Sequence, residues 1–166
     1  MDVMPWEIWV RATWLSQYVR ANGWLWPVLE TFHYIGLSLL IGTVGLFDLR
    51  VLGVAKAIPP LALHRLIPLG VGGYVLNLIT GLCFISAFAD QYAYNSAFHV
   101  KLALMAVAGI NLVIFYGSAF SELKTLGAGA SAPWRCKVLV GVSLFSWVGV
   151  LICGRLLTFF RPGTFH

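Results

Sequence analysis

The sequence predicts an all-α integral membrane protein: a four-transmembrane-helix up-down bundle preceded by an N-terminal interfacial amphipathic helix. Two observations carry this. Of the 166 residues, 60% are hydrophobic and only 10% charged, with a mean hydropathy of +0.85. A soluble domain carries about 25% charged and roughly 45–50% apolar residues. The apolar residues also gather in four runs, each near the ~20 residues that cross a bilayer core as a helix. The same composition excludes a disordered chain, which needs low hydrophobicity and high charge, and the length allows one domain.

Residues 1–23 form the interfacial segment. Pro5 opens a run in which Trp6, Trp9, Val10, Trp14 and Tyr18 recur at helical spacing, with Glu7, Arg11, Gln17 and Arg20 between them. That pattern suits a helix lying at headgroup depth. It lacks the basic start and small-residue cleavage site of a signal peptide, so it is expected to stay on the mature protein.

Residues 24–166 form the transmembrane domain. The first span runs from about Trp26 to Leu46 and contains Glu30 and His33; the second, Leu66 to Ala89, and the third, Leu102 to Ser121, contain no charge. The fourth, Val138 to Phe160, is interrupted only by Arg155. Pro59-Pro60, residues 90–95 and residues 127–133 separate them, and Asn95 or Ser96 is placed to cap the third helix. Gly36, Gly42 and Gly45 in the first helix, and Gly70, Gly72 and Gly73 in the second, allow close helix approach.

The net charge of +5 is scattered, with no basic stripe, which argues against nucleic acid as a partner and for anionic lipid headgroups. Cys83, Cys136 and Cys153 form no CxxC and no metal-type spacing and read as small buried hydrophobes. Arg50, Lys56, Arg65, Lys124, Arg135 and Lys137 fall on one membrane face, and Arg11, Arg20, Lys101, Arg155 and Arg161 on the other. Because Lys101 and Arg155 are embedded, the positive-inside rule leans toward periplasmic termini.

Ionisable residues inside membrane helices cost about 2.5–3.5 kcal/mol each on insertion scales, which makes them functional suspects. Glu30, His33, His99, Lys101 and Arg155 all fall in the half of the bundle nearest the N-terminal face, on three helices. Glu30 and His33, three apart, share a helix face. His33 and His99 suit axial ligation of a haem iron, with Lys101 and Arg155 toward propionates or a quinone carbonyl and Glu30 as a proton relay. The absence of CxxCH makes any haem non-covalent, b-type.

Plainer roles stand beside these. His99 can sit among headgroups, His33 can be a structural hydrogen-bonded residue, Lys101 and Arg155 can snorkel, and Glu30 can pair with one of them. On the opposite face Asp48, Arg50, His64 and Arg65 read as a solvated group, with Asp48 and Arg50 as a local ion pair. The alternative there has His64 and Tyr116 bracketing a second cofactor. Asn77 and Asn111 read as interhelical hydrogen-bond partners, and the terminal His166 as frayed.

The runs ETFHYIGLSLLIGTVGLFDLRVLG, FHVKLALMAVAGINLVIFY and SLFSWVGVLICGRLLTFF resemble an uncharacterised bacterial four-helix membrane family. More distantly they resemble the copper-resistance D-type domain and the bacterial four-helix protoporphyrinogen oxidases, over about residues 24–160. The last resemblance implies b-type haem, a helix-one histidine ligand at His33 and a functional lysine at Lys101. It also implies the bacterial inner membrane. The chain departs from the uncharacterised family's pattern at His99, where arginine is frequent, and at Tyr116, where histidine is.

Three functions are compatible with this reading. The first is a membrane b-type cytochrome transferring electrons between a quinone or other hydrophobic reductant and a protein redox partner. The second is a protoporphyrinogen-oxidase-like enzyme, which would make the chain a membrane oxidoreductase. The third is a haem-free anchor or accessory subunit of a larger membrane complex. Copper import ranks last, because three methionines and three dispersed cysteines offer little soft ligand for Cu(I).

Overall fold

The computed structural model describes residues 5–160, and among them the chain is helical with no strand. Arg161 and His166 lie outside the described residues. Instead of one N-terminal helix there are two, α1 (Pro5–Ala12) and α2 (Trp14–Ala21). Thr13 breaks them: its backbone is extended, its hydroxyl donates to the Val10 carbonyl at 2.6 Å, and the same oxygen accepts from the Ser16 amide. A threonine that caps the second helix thereby ends the first. The polar Glu7 and Ser16 are buried, whereas Trp9 and Trp14 are 71% and 74% exposed. The segment thus turns Glu7, Ser16 and Val19 toward the protein and Trp9 and Trp14 outward. Arg11 pairs with Asp90 at 3.0 Å, tying α1 to the short α6 (Ala89–Ala93).

Four helices are long and apolar enough to cross a membrane. The first, α3 (Leu25–Leu52), continues past Leu46 because apolar residues keep recurring. It stops at Gly53, whose left-handed φ of 119° turns the amides of Gly53 and Val54 back onto the Leu49 carbonyl. The second starts at Pro60 rather than Leu66, as α4 (Pro60–His64) and α5 (Ile67–Ala87). Proline suits a first helical turn, where its missing N–H would have no partner. The third starts at Ser96, because the Asn95 side chain accepts from the amides of Ala97 and Phe98 at 3.0 and 3.3 Å. It runs as α7 (Ser96–Ile114), a π turn (Phe115–Ala119) and α8 (Phe120–Lys124). The fourth, α9 (Trp134–Leu156), ends short of Phe160, where the Asn95 amide bonds the Leu157 carbonyl.

α3 is the hub, packed on α5 and on α9, while α7 packs on α9. Among the described residues α5 and α7 make at most slight contact with each other. The α3–α5 contact is a backbone crossing. A Cβ on Gly36 would lie 2.7 Å from the Gly73 carbonyl oxygen, and one on Gly73 would lie 2.9 Å from Leu39 Cβ. Gly70 faces the Thr43 hydroxyl as closely, but Gly42 and Gly72 have nothing near them. Of the six glycines named from sequence, three therefore make the interface.

The buried core lies at the end where α3 and the third span finish, around Phe47, Val51, Phe115, Leu123 and Cys136. Arg50, 1% exposed, closes that end. Its guanidinium donates to the carbonyls of Ile58, Lys56 and Ala130, so it clasps both connecting loops. The expected Asp48–Arg50 ion pair does not form, and of the group read as solvated Asp48 is also only 3% exposed, whereas Arg65 is exposed and His64 half-buried. Residues two apart on a helix point to opposite sides. Arg50 turns to the loops and Asp48 inward.

Candidate functional site

At the N-terminal end of the bundle, His33 is half-buried with its Nδ1 2.7 Å from Thr80 Oγ1. That hydroxyl also contacts the carbonyls of Leu76 and Asn77, its own helix neighbours, at 2.8 and 3.2 Å. A carbonyl only accepts and a hydroxyl has one hydrogen to give. Thr80 therefore donates to the backbone, and His33 Nδ1–H donates to Thr80. The neutral ring keeps its lone pair on Nε2, beside Phe84. Lys101 lies within electrostatic reach of His33. Its ammonium rests over helix four, 3.8 Å from where a Cβ on Gly154 would be.

The other three residues predicted for this site point elsewhere. Glu30, His99 and Arg155 are exposed, and Glu30 has the Tyr34 hydroxyl at 3.5 Å. A haem held by two imidazoles needs His33 and His99 on one iron. His33 faces α5, and α7, which carries His99, packs on α9 instead. The residues as placed fit one axial ligand, His33, and do not assemble the pair.

The opposite half holds a cavity of about 250 Å³ lined by all four spans. Aliphatic side chains such as Leu40, Val44 and Leu112 form much of its wall, and its polar-bearing lining residues include Asp48, Asn111, Tyr116 and Ser143 beside Tyr74 and Trp147. Ser143 reaches the Asp48 carboxyl, but the buried Oδ2 has no partner. The Asn111 amide is engaged by the Leu139 carbonyl at 3.0 Å, giving the interhelical bond expected of it. Asn77 instead bonds Gly73 in its own helix.

Tyr116 belongs to the π turn, a wider turn that re-aims the side chains it carries and is frequent at functional sites. Its hydroxyl meets His64 Nε2 at 2.9 Å, and the imidazole lies against Phe120. Tyr74 and Trp147, on α5 and α9, meet edge to face and also line the cavity.

The pairing of His64 with Tyr116 appeared in the sequence only as an alternative, and the inward turn of Asp48 was missed. A signal for it existed. Leu40, Val44 and Asp48 fall at i, i+4 and i+8, which puts the carboxylate on the stripe that lines the cavity.

Fold and site thus define an all-helical chain with four helices able to cross a membrane and a cavity among them. No protein-family model, curated protein or solved structure matches it.

Proposed function

We propose that the chain is a multi-pass protein of the bacterial inner membrane that binds a lipid-soluble, ring-bearing small molecule in the cavity among its helices. In this reading the helices run up and down across the bilayer. α1 and α2 lie in the headgroup layer, and the termini are periplasmic. The observation that carries the reading is the position of the cavity. It is lined by both α5 and α7, which make at most slight contact with one another, so in this reading a ligand reaches it sideways from the lipid. Mostly apolar walls with a few polar groups at fixed places are the usual make-up of a small-molecule site. A quinone is a neutral member of this ligand class.

The test uses quenching of Trp147 fluorescence, with Trp147→Phe as the reference, against a short-chain ubiquinone analogue and other small ring compounds. Gly109 lines the cavity and has open space where a side chain would begin, so Gly109→Phe adds bulk at the cavity wall without a backbone clash. Saturable quenching by at least one compound, abolished in Gly109→Phe, is expected. If every compound leaves Trp147 unquenched, the reading fails.

A second reading keeps a b-type haem, which would supply one-electron chemistry. It is favoured by the bare Nε2 of His33, because metal-bound histidines characteristically donate their other N–H to a fixed acceptor, here Thr80. A reduced-minus-oxidised spectrum tests it.

A further inference from the structure

We infer that the cavity selects an amphiphilic organic cation, a ring-bearing ammonium-type molecule, and that Asp48 is its counter-charge. This rests on the cavity reading above and names the ligand class. Asp48 is 3% exposed, lines the cavity, and presents an Oδ2 with no hydrogen-bond partner. A carboxylate removed from water takes up a proton unless a counter-charge or donors hold it charged, and among the described residues no cation is paired with Asp48. Arg50 is turned to the loop carbonyls, and Lys101 lies at the other end of the bundle against helix four.

Two donors that a neutral carbonyl ligand could use are already engaged. The Asn111 amide is bonded to Leu139, and the Tyr116 hydroxyl is paired with His64. The buried polar atom of the described lining left without a partner is an acceptor, Asp48 Oδ2. The cavity's rings serve the same ligand: Phe47, Tyr74, Phe115, Tyr116 and Trp147 line it, and aromatic faces attract organic cations, more strongly where water is excluded. The lateral opening between α5 and α7 admits a molecule that travels in the bilayer with its charge at the headgroups and its ring among the chains.

The experiment compares two molecules of one shape, para-tert-butylphenyl-trimethylammonium and para-di-tert-butylbenzene, with the ubiquinone analogue as a third. Each is titrated against the full chain in lipid nanodiscs with Trp147 fluorescence as readout. The cation is expected to bind at least tenfold more tightly than its neutral twin. Asp48→Asn removes that preference, and Asp48→Glu retains it. Size-exclusion and thermal melting show whether each variant is folded, and the Asp48→Glu result stands if Asp48→Asn does not fold.

Equal binding of the two twins, a preference that survives in Asp48→Asn, or tighter binding of the quinone overturns the cation assignment and leaves the cavity reading intact. Failure of all three molecules to bind overturns both.

Discussion

His33 and Thr80 join the first and second spans by one hydrogen bond of 2.7 Å, and the direction of that bond fixes which imidazole nitrogen is bare. With full haem supply, the second reading expects a Soret difference in the wild type. It should be lost in His33→Ala and kept in His99→Ala, whose exposed ring is not turned to His33. Thr80→Val removes the acceptor that orients the ligand and should weaken haem retention about 10–100-fold. A flat wild-type spectrum removes haem from the account.

The α3–α5 crossing separates glycines that look alike. Gly36→Ala and Gly73→Ala place a methyl group against the facing backbone and should each destabilise by about 1–3 kcal/mol. Gly42→Ala and Gly72→Ala meet nothing and should stay within about 1 kcal/mol of wild type, with helix propensity in their favour. Thermal unfolding of the four variants in one detergent compares them directly.

Arg50 is predicted to be structural. Arg50→Met keeps the bulk but leaves the carbonyls of Ile58 and Lys56 without their donor, at a cost of about 2–3 kcal/mol. Arg50→Lys should recover only part of this, because an ammonium does not reproduce the guanidinium fork. Limited proteolysis between residues 53 and 59 should speed up in both variants. Unchanged cleavage would mean that the clasp does not hold the loops.

At the other surface Tyr94 hydrogen-bonds Glu7, and that bond, followed by burial and by the Glu7 charge, raises its phenol above the ordinary value of 10.0. A raised folded value means that the tie between α1 and Tyr94 is fully present below pH ~10. It is lost as pH rises through the raised value. Alkaline absorbance of wild type minus Tyr94→Phe should show this midpoint, and Glu7→Gln should move it down. Identical titrations with and without Glu7 would contradict the tie.

The four spans were legible because twenty apolar residues in a row have few other uses, and Asn95 announced its helix by chemistry that acts within three residues. The break at Thr13 was not legible, since the threonine sits inside an unbroken run of helical spacing. Nor was the fate of Asp48. Two charges two residues apart read as a pair, and only the rotation of α3 against its neighbours sends one to the loops and the other to the cavity. Glu30, His33, His99, Lys101 and Arg155 were grouped by their positions along the helices alone, and Glu30, His99 and Arg155 are exposed. Depth along a helix follows from residue number, but facing does not, and only His33 and Lys101 turn inward there.

In the proposed reading, the slight contact between α5 and α7 leaves one side of the cavity to be completed by whatever lipid lies beside it. Occupancy would then follow the amount of ligand dissolved in the bilayer rather than in water. Two molecules with equal contacts inside the cavity would differ in apparent affinity by the ratio of their partition coefficients. Diluting the protein with extra lipid at constant total ligand would weaken binding, although no contact in the site had changed. Part of this protein's selectivity would thus be exercised by the membrane before a ligand meets any side chain.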